Sequence, residues 1–330
     1  ILGVSQSSET GATKVMMNAG RVENKGIEIS FRLRPVQTRD LLWEINGNWA
    51  RNKNKLCELN DGWDPSTPLQ TSMGVTIGSR TFVYSYIGEE MHWIYGRDYV
   101  RAPKGSTYTD ENGTVIDCSG MPIIDPKTGY PSLIEDPNQR IAKVNPDWKA
   151  GFGTSVRYKN LSFSAQFTAQ VGGNSFSVTN FALSYQGKLK NSLPGREDGL
   201  VLKGVNAVDN GDGTISYRKN NTITENVYIY YNKYQWVRDN TKANTFSTDF
   251  LKLKEVRLDY RFSERWMQKT KFLRSASIGI FATNLFCITN WPQYDPEAAG
   301  VVSGTNIYGG IETGSFPMTR TYGFNIKLQF

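Results

Sequence analysis

The chain has 330 residues, of which 38% are hydrophobic and 12% aromatic, with a formal charge of +7 and a mean hydropathy of −0.47. No apolar run approaches the ~18 residues of a membrane helix, and Lys and Arg are scattered through the chain rather than clustered as on a nucleic-acid surface. Membrane-spanning strands are not excluded: each needs only about 9–11 residues and hides its apolar half by alternation, so average hydropathy stays low.

Residues 1–4 read as the end of a truncated strand. The first hairpin is expected at 27–37 and 42–54, turning near Thr38-Arg39-Asp40; Ile27, Ile29, Phe31 and Leu33 share one face of the first strand, and Trp43, Ile45, Gly47 and Trp49 one face of the second. A second hairpin is predicted at 80–87 and 92–102, turning at Gly88-Glu89-Glu90. The clearest alternation follows. Trp148, Ala150, Phe152, Val156 and Tyr158 face one way in 148–158, and Leu161, Phe163, Ala165, Phe167, Ala169 and Val171 in 161–171. Only Lys159-Asn160 separate these two, which makes a tight hairpin. A fourth hairpin spans 250–262 and 272–286 through Ser263–Lys271, with a register change near Lys254 that reads as a bulge or as the strand leaving the membrane.

The chain closes at 318–330. In TYGFNIKLQF, Tyr322, Phe324, Ile326, Leu328 and Phe330 share one face, with Thr321, Gly323, Asn325, Lys327 and Gln329 on the other. A strand with one wholly apolar face that ends on an aromatic carboxylate, here Phe330, is how outer-membrane β-barrels end.

The connections alternate between short and long. Short ones fall at 38–40, 88–91, 159–160 and 263–271, and long ones at 5–26, 55–79, 103–147, 173–247 and 287–317. In an up-and-down barrel alternate connections share a side, so every short turn falls on one side and every long loop on the other. Bacterial outer-membrane barrels have that asymmetry, with short periplasmic turns and long extracellular loops. A soluble β-sandwich also produces alternation, since one face is core, but it predicts neither feature. The expected class is all-β, a transmembrane antiparallel up-and-down barrel, with lumen-facing Glu28, Arg32, Asn46, Asn48, Gln166 and Gln170.

Residues that might carry chemistry are few. His92 is the only histidine, so no His-based metal site is expected, and a strand position beside Trp93 and Tyr95 explains it. Cys57, Cys118 and Cys287 have no metal spacing and give no disulfide framework, although loop positions on one side leave a Cys57–Cys118 bond open. Val208–Thr214, VDNGDGT, resembles a calcium loop, but the ligand ladder fails and a Gly-Asp turn fits better. Asp295 and Glu297 suit an acid–base pair or a Pro-flanked turn. No phosphate-binding or dinucleotide fingerprint is present. Aromatic and amide side chains in the long loops suit sugars, peptides or a partner protein. These are Tyr228, Tyr230, Tyr231, Tyr234 and Trp236, and then Trp291 and Tyr294 beside Asp295 and Glu297.

Six segments, in order, resemble the C-terminal part of SusC/RagA-type TonB-dependent transporters of Bacteroidetes outer membranes. They are NAGRVENKGIEISF (18–31), LLWEINGNWARNKNKLCEL (41–59), NPDWKAGFGTSVRYKNLSFSAQFTAQVGGNSFS (145–177), FLKLKEVRLDYRF (250–262), IFATNLFCITNWPQYDPEAAG (280–300) and FPMTRTYGFNIKLQF (316–330). The resemblance implies a plugged barrel of about 22 strands, of which residues 1–330 supply roughly the last nine or ten. It implies that the plug, the TonB box and the signal peptide lie outside this chain, as does the pairing partner of the closing strand. It also implies no enzyme and no cofactor. The expected function is import of oligosaccharides or peptides with a SusD-like surface lipoprotein, energised by the TonB–ExbB–ExbD complex through the N-terminal part. The barrel is expected to sit in outer-membrane lipid and lipopolysaccharide, with no nucleic-acid partner. A passive porin or a surface adhesin shares the barrel and the loops and remains the alternative.

Overall fold

The computed structural model describes residues 2–5, 9, 11, 14–17, 20–60, 62–72, 81–270, 272–297, 309–314 and 316–330, with backbone only at 2–5, 14–17 and 71–72. Seven strands form one antiparallel sheet: β1 (Gly20–Gln37), β2 (Leu41–Leu59), β3 (Trp148–Tyr158), β4 (Leu161–Val171), β5 (Phe250–Arg261), β6 (Ser275–Thr289) and β7 (Thr321–Gln329). Each pairs with the next in chain order, so the sheet is a meander with β1 and β7 at its edges. β3 and β4 pair from Trp148–Val171 to Tyr158–Leu161 without a shift, as the alternation predicts.

Register sorts most polar residues to one face and most large apolar residues to the other. Arg32, Asn46, Gly153, Gln166, Glu255, Thr283 and Thr321 lie side by side across all seven strands. On the opposite face Trp43, Val156, Phe163, Leu258, Ile280 and Phe324 make a matching row. Ile29, Phe31, Phe152, Phe163, Ile280 and Phe324 on that apolar face are exposed. An apolar surface of this extent is incompatible with water and suits lipid. The expected irregularity near Lys254 is present, since pairing shifts between Leu253 and Glu255 on β5 and between Gln166 and Phe167 on β4. Asn284 of β6 takes a left-handed backbone there (φ 53°), as a bulge requires.

The two long strands run further than their alternation suggests. β1 starts at Gly20 and β2 continues to Leu59, because polar residues at 20–26 and 51–58 keep pairing outside the apolar stretch. The long connections therefore become 60–147, 172–249 and 290–320, all at one end of the sheet, with the short ones at the other.

Two expected strand placements need correction. Phe82–Ser85 and Trp93–Gly96 do pair, but in a separate four-stranded sheet with Gln139–Lys143 and Leu69–Ser72, inside the first long connection. β2 pairs directly with β3 instead. The reason is burial on both faces. Ile94, Tyr95 and Gly96 are all buried, and Val83 and Ile94 form a core with Phe176 and Ile311. Leu2–Ser5 pairs with Lys14–Met17 in its own two-stranded sheet rather than with the wall. His92 also departs from its expected strand. It sits in the turn before Trp93 with a left-handed backbone (φ 67°).

The buried core lies among the long connections and not behind the wall. One cluster joins Ile124, Tyr130, Leu202, Val227, Tyr230, Tyr231 and Trp236. The cluster around Phe176 draws residues from all three long connections. A polar knot ties them further. Glu312 accepts from Ser177 Oγ (2.9 Å), Thr179 Oγ1 (2.6 Å) and the Gly314 amide (2.5 Å). The cysteines are free, so Cys57 and Cys118 do not pair. Val208–Thr214 closes a small hairpin between Val205–Asp209 and Ile215–Lys219, with Asp209 and Asp212 carboxylates accepting from the turn amides of Gly211 and Thr214. It is an Asx-type turn, not a cation loop.

Candidate functional site

All six expected lumen residues lie on the polar face. Glu28 shares a row with Ala50, Lys149 and Gln170, and Asn48 shares the next with Gly151, Thr168 and Lys252. In the neighbouring row the Gln166 amide lies over Gly153 and would have to swing aside for any larger residue there. A Cβ there would sit 2.3 Å from Gln166 Oε1.

Where this face meets the long connections it encloses a pocket of about 570 Å³. Asn48, Lys149, Thr168 and Gln170 form its wall side, and His92 and Glu297 contribute from the loops. Gln170 Nε2 donates to Thr248 Oγ1 (3.0 Å), and Asn145 Nδ2 donates to Asn54 Oδ1 of β2 (3.2 Å), which holds the roof to the wall. Burial pushes the His92 imidazole pKa down, against a hydrogen bond to Asn145 that raises it. The ring is therefore neutral at pH 7.

Asp295 and Glu297 do not face each other as acid and base. Lys252, whose side chain is only 1% exposed, reaches from the polar face of β5 to both. Lys254 binds Glu297 as well, at 2.5 Å. Burial raises the Glu297 pKa, but its bonds to the two lysines outweigh that and leave it below the usual carboxylate range. Two carboxylates neutralised by the buried Lys252 ammonium and the half-buried Lys254 are structural partners, not a proton relay. Trp291 is buried beside Phe246 and Tyr294 is exposed. No group of His, Cys, Asp or Glu among the described residues can hold a metal.

The aromatic segment 226–236 divides in two. Tyr230, Tyr231 and Trp236 are buried in the loop core, and Tyr234 packs against it, stacked on Tyr130 at 5.1 Å. Burial raises the Tyr230 phenol to about 12. Tyr228 is 72% exposed. It opens on a second pocket, of about 660 Å³, with Tyr185, Arg196, Glu197, Glu225 and Asn232 around it and Tyr231 among its lining residues. Tyr231 is anchored by its hydroxyl donating to the Pro194 carbonyl (2.9 Å). Thus Asn48, Gln170 and Glu297 come together in one pocket and Tyr228 and Tyr231 in the other. Lys149, Thr168, Tyr185 and Arg196 were not anticipated. The first two follow from register once β3 and β4 are paired, whereas the others depend on loop packing that leaves no periodic signal. Phe330 lies at the opposite end, exposed and stacked on Phe272.

No family model matches the chain. It is 26% identical over 330 residues to TonB-dependent receptor P3 of Formosa agariphila, covering 97% of this chain and 30% of that protein. It is 22% identical to TonB-dependent receptor SusC of Bacteroides thetaiotaomicron, covering 96% of this chain and 27% of that one. Among solved structures, the RagAB peptide importer in its open-open state matches with a TM-score of 0.62 at 17% identity, over 100% of this chain and 31% of that chain. At that identity the match establishes the antiparallel barrel-wall fold alone. The chain spans less than a third of the length of these curated relatives, which are receptors by name and not enzymes.

Proposed function

We propose that this chain, which belongs to the SusC/RagA type of TonB-dependent receptors, supplies barrel wall and outer loops to an importer of oligomeric nutrients, either oligosaccharides or peptides. The carrying observation is the division of the sheet: a mainly polar face across seven strands, an exposed apolar face behind it, and all long connections gathered over one end. The apolar face meets outer-membrane lipid and lipopolysaccharide, and the polar face lines a wet interior. The long connections are extracellular, while the short turns and Phe330 are periplasmic. The two pockets lie where a nutrient entering from outside meets the loops and then the lumen.

The remaining parts of the mechanism lie with partners. A SusD-like lipoprotein covers the loops, and the TonB–ExbB–ExbD complex acts through an N-terminal plug and TonB box. Gentle purification of the full-length receptor from its native membrane should bring the lipoprotein with it. Recovery of the receptor alone would sink the paired-importer reading. A passive porin or an adhesin shares the same wall. In planar bilayers a porin conducts without TonB, whereas a plugged importer stays closed.

A further inference from the structure

The connection between β5 and β6 lies at the end of the sheet remote from the pockets, and it contains a short helix, Glu264–Thr270. Met267 turns inward and is buried, leaving Arg265, Trp266 and Lys269 exposed. Phe262 stacks on Trp266 at 5.6 Å and meets Tyr260 edge-on at 5.3 Å. Phe272 is also exposed and stacks on Phe330 at 6.3 Å. Tyr260 is in register with Leu161 and Ile278, so it belongs to the apolar outer face. The aromatic cluster is therefore continuous with that face and forms its rim.

Charge at this rim is one-sided. Residues 262–274 contain Arg265, Lys269, Lys271 and Arg274 against Glu264 alone. Lys252, Arg257 and Arg101, by contrast, are tied to carboxylates. Arg265, Lys269 and Arg274 are exposed and have no ion-pair partner among the described residues. Arg265 and Lys269, four apart in a helix, share one side of it. Exposed rings of this kind settle at headgroup depth, and cations beside them gain from anionic lipid phosphate.

We propose that this turn is a foot that binds anionic phospholipid headgroups in the leaflet bordering the short-turn end. The inference rests on the barrel reading above. The test uses the full-length receptor in detergent, with bound lipid counted by native mass spectrometry during titration with phosphatidylglycerol or phosphatidylcholine. Wild type should prefer phosphatidylglycerol. The R265Q/K269Q/R274Q variant should bind it at least about fivefold more weakly, the factor expected from even one such cation, with phosphatidylcholine binding unchanged. Equal phosphatidylglycerol binding by the two proteins would overturn the proposal.

A second measurement separates the two readings and does not need that variant to fold. In bilayers of brominated lipid, the quenched fluorescence owed to Trp266 and to Trp49 is read from Trp266→Phe and Trp49→Phe. Trp49 lies on the apolar face beside Ile29. Quenching of both supports the foot. Quenching of Trp49 alone rejects the foot and keeps the barrel, and quenching of neither rejects both.

Discussion

At the scale of the residue, Lys252 decides how the last long connection meets the wall. Its ammonium is buried between two carboxylates, so replacing it strands negative charge in a dry site. Lys252→Met should destabilise this attachment by about 3 kcal/mol. The cut would show as faster proteolysis after residue 290 while the wall stays resistant. Acid should act on the same contact through Glu297, whose folded pKa is depressed. For a depressed carboxylate the added stability is fully present above the unfolded pKa and is lost as pH falls through the folded value. Amide protection factors in the segment near Trp291, taken relative to the intrinsic exchange rate at each pH, should therefore be high at neutral pH and fall below about pH 4, the ordinary carboxylate range. Protection unchanged on acidification would remove Glu297 from the account. Lys159 is a different case. It holds a left-handed backbone (φ 51°) in the two-residue turn between β3 and β4. Lys159→Gly relieves a conformational cost of about 1 kcal/mol and should raise the denaturant midpoint of the refolded protein in detergent.

At the scale of the element, the strands and the loops were unequally legible. Strands β3, β4 and β7 could be read almost to the residue because alternation is local: Phe152 and Gly153 declare opposite faces without reference to anything distant. The hairpin at 82–96 shows where that logic stops. Alternation says only that one face of a strand is covered, and here Phe176 and Ile311, far along the chain, supply the cover. The segment 226–236 fails for the same reason. Its tyrosines have the composition of a binding platform, but contact with Ile124 and Tyr130 turns most of them into core. Of the candidate residues, those on wall strands could be assigned a face because facing follows from spacing, and those on loops could not be sorted into exposed and buried. This core predicts that Trp236→Ala costs the loop assembly about 3 to 5 kcal/mol. In the full-length receptor, limited proteolysis within 172–249 should rise, while the heat-modifiable migration typical of an intact barrel is unchanged. Loss of both together would mean that wall and loops fold as one cooperative unit.

At the scale of the whole molecule, the sheet has its buried core at one end and bare apolar surface along its outer face. A water-soluble sheet of this size would cover that face with a second layer. The described residues provide none, and they leave β1 and β7 as edges. The 330-residue chain expressed alone should therefore aggregate from aqueous buffer. In detergent it should fail to give the sharp heat-modifiable band of a closed barrel, because open edges cannot face an apolar medium. A monodisperse, water-soluble β-protein recovered without detergent would contradict the lipid-facing reading of Ile29, Phe163 and Phe324.

The small hairpin Val205–Asp209 to Ile215–Lys219 pairs only with itself apart from one bridge from Val205 to Ile123. Its tip carries Gly211 and Gly213 with open space around both, and its turn is stitched by its own aspartates. Among the described residues nothing lies within 4 Å of the Cβ position at either glycine of that tip. It is thus a permissive port, where a peptide epitope or a dye-labelling tag can be spliced between Asn210 and Gly213 without unsettling the rest. On living cells such a tag would report which way the receptor faces, by whether an impermeant antibody can reach it.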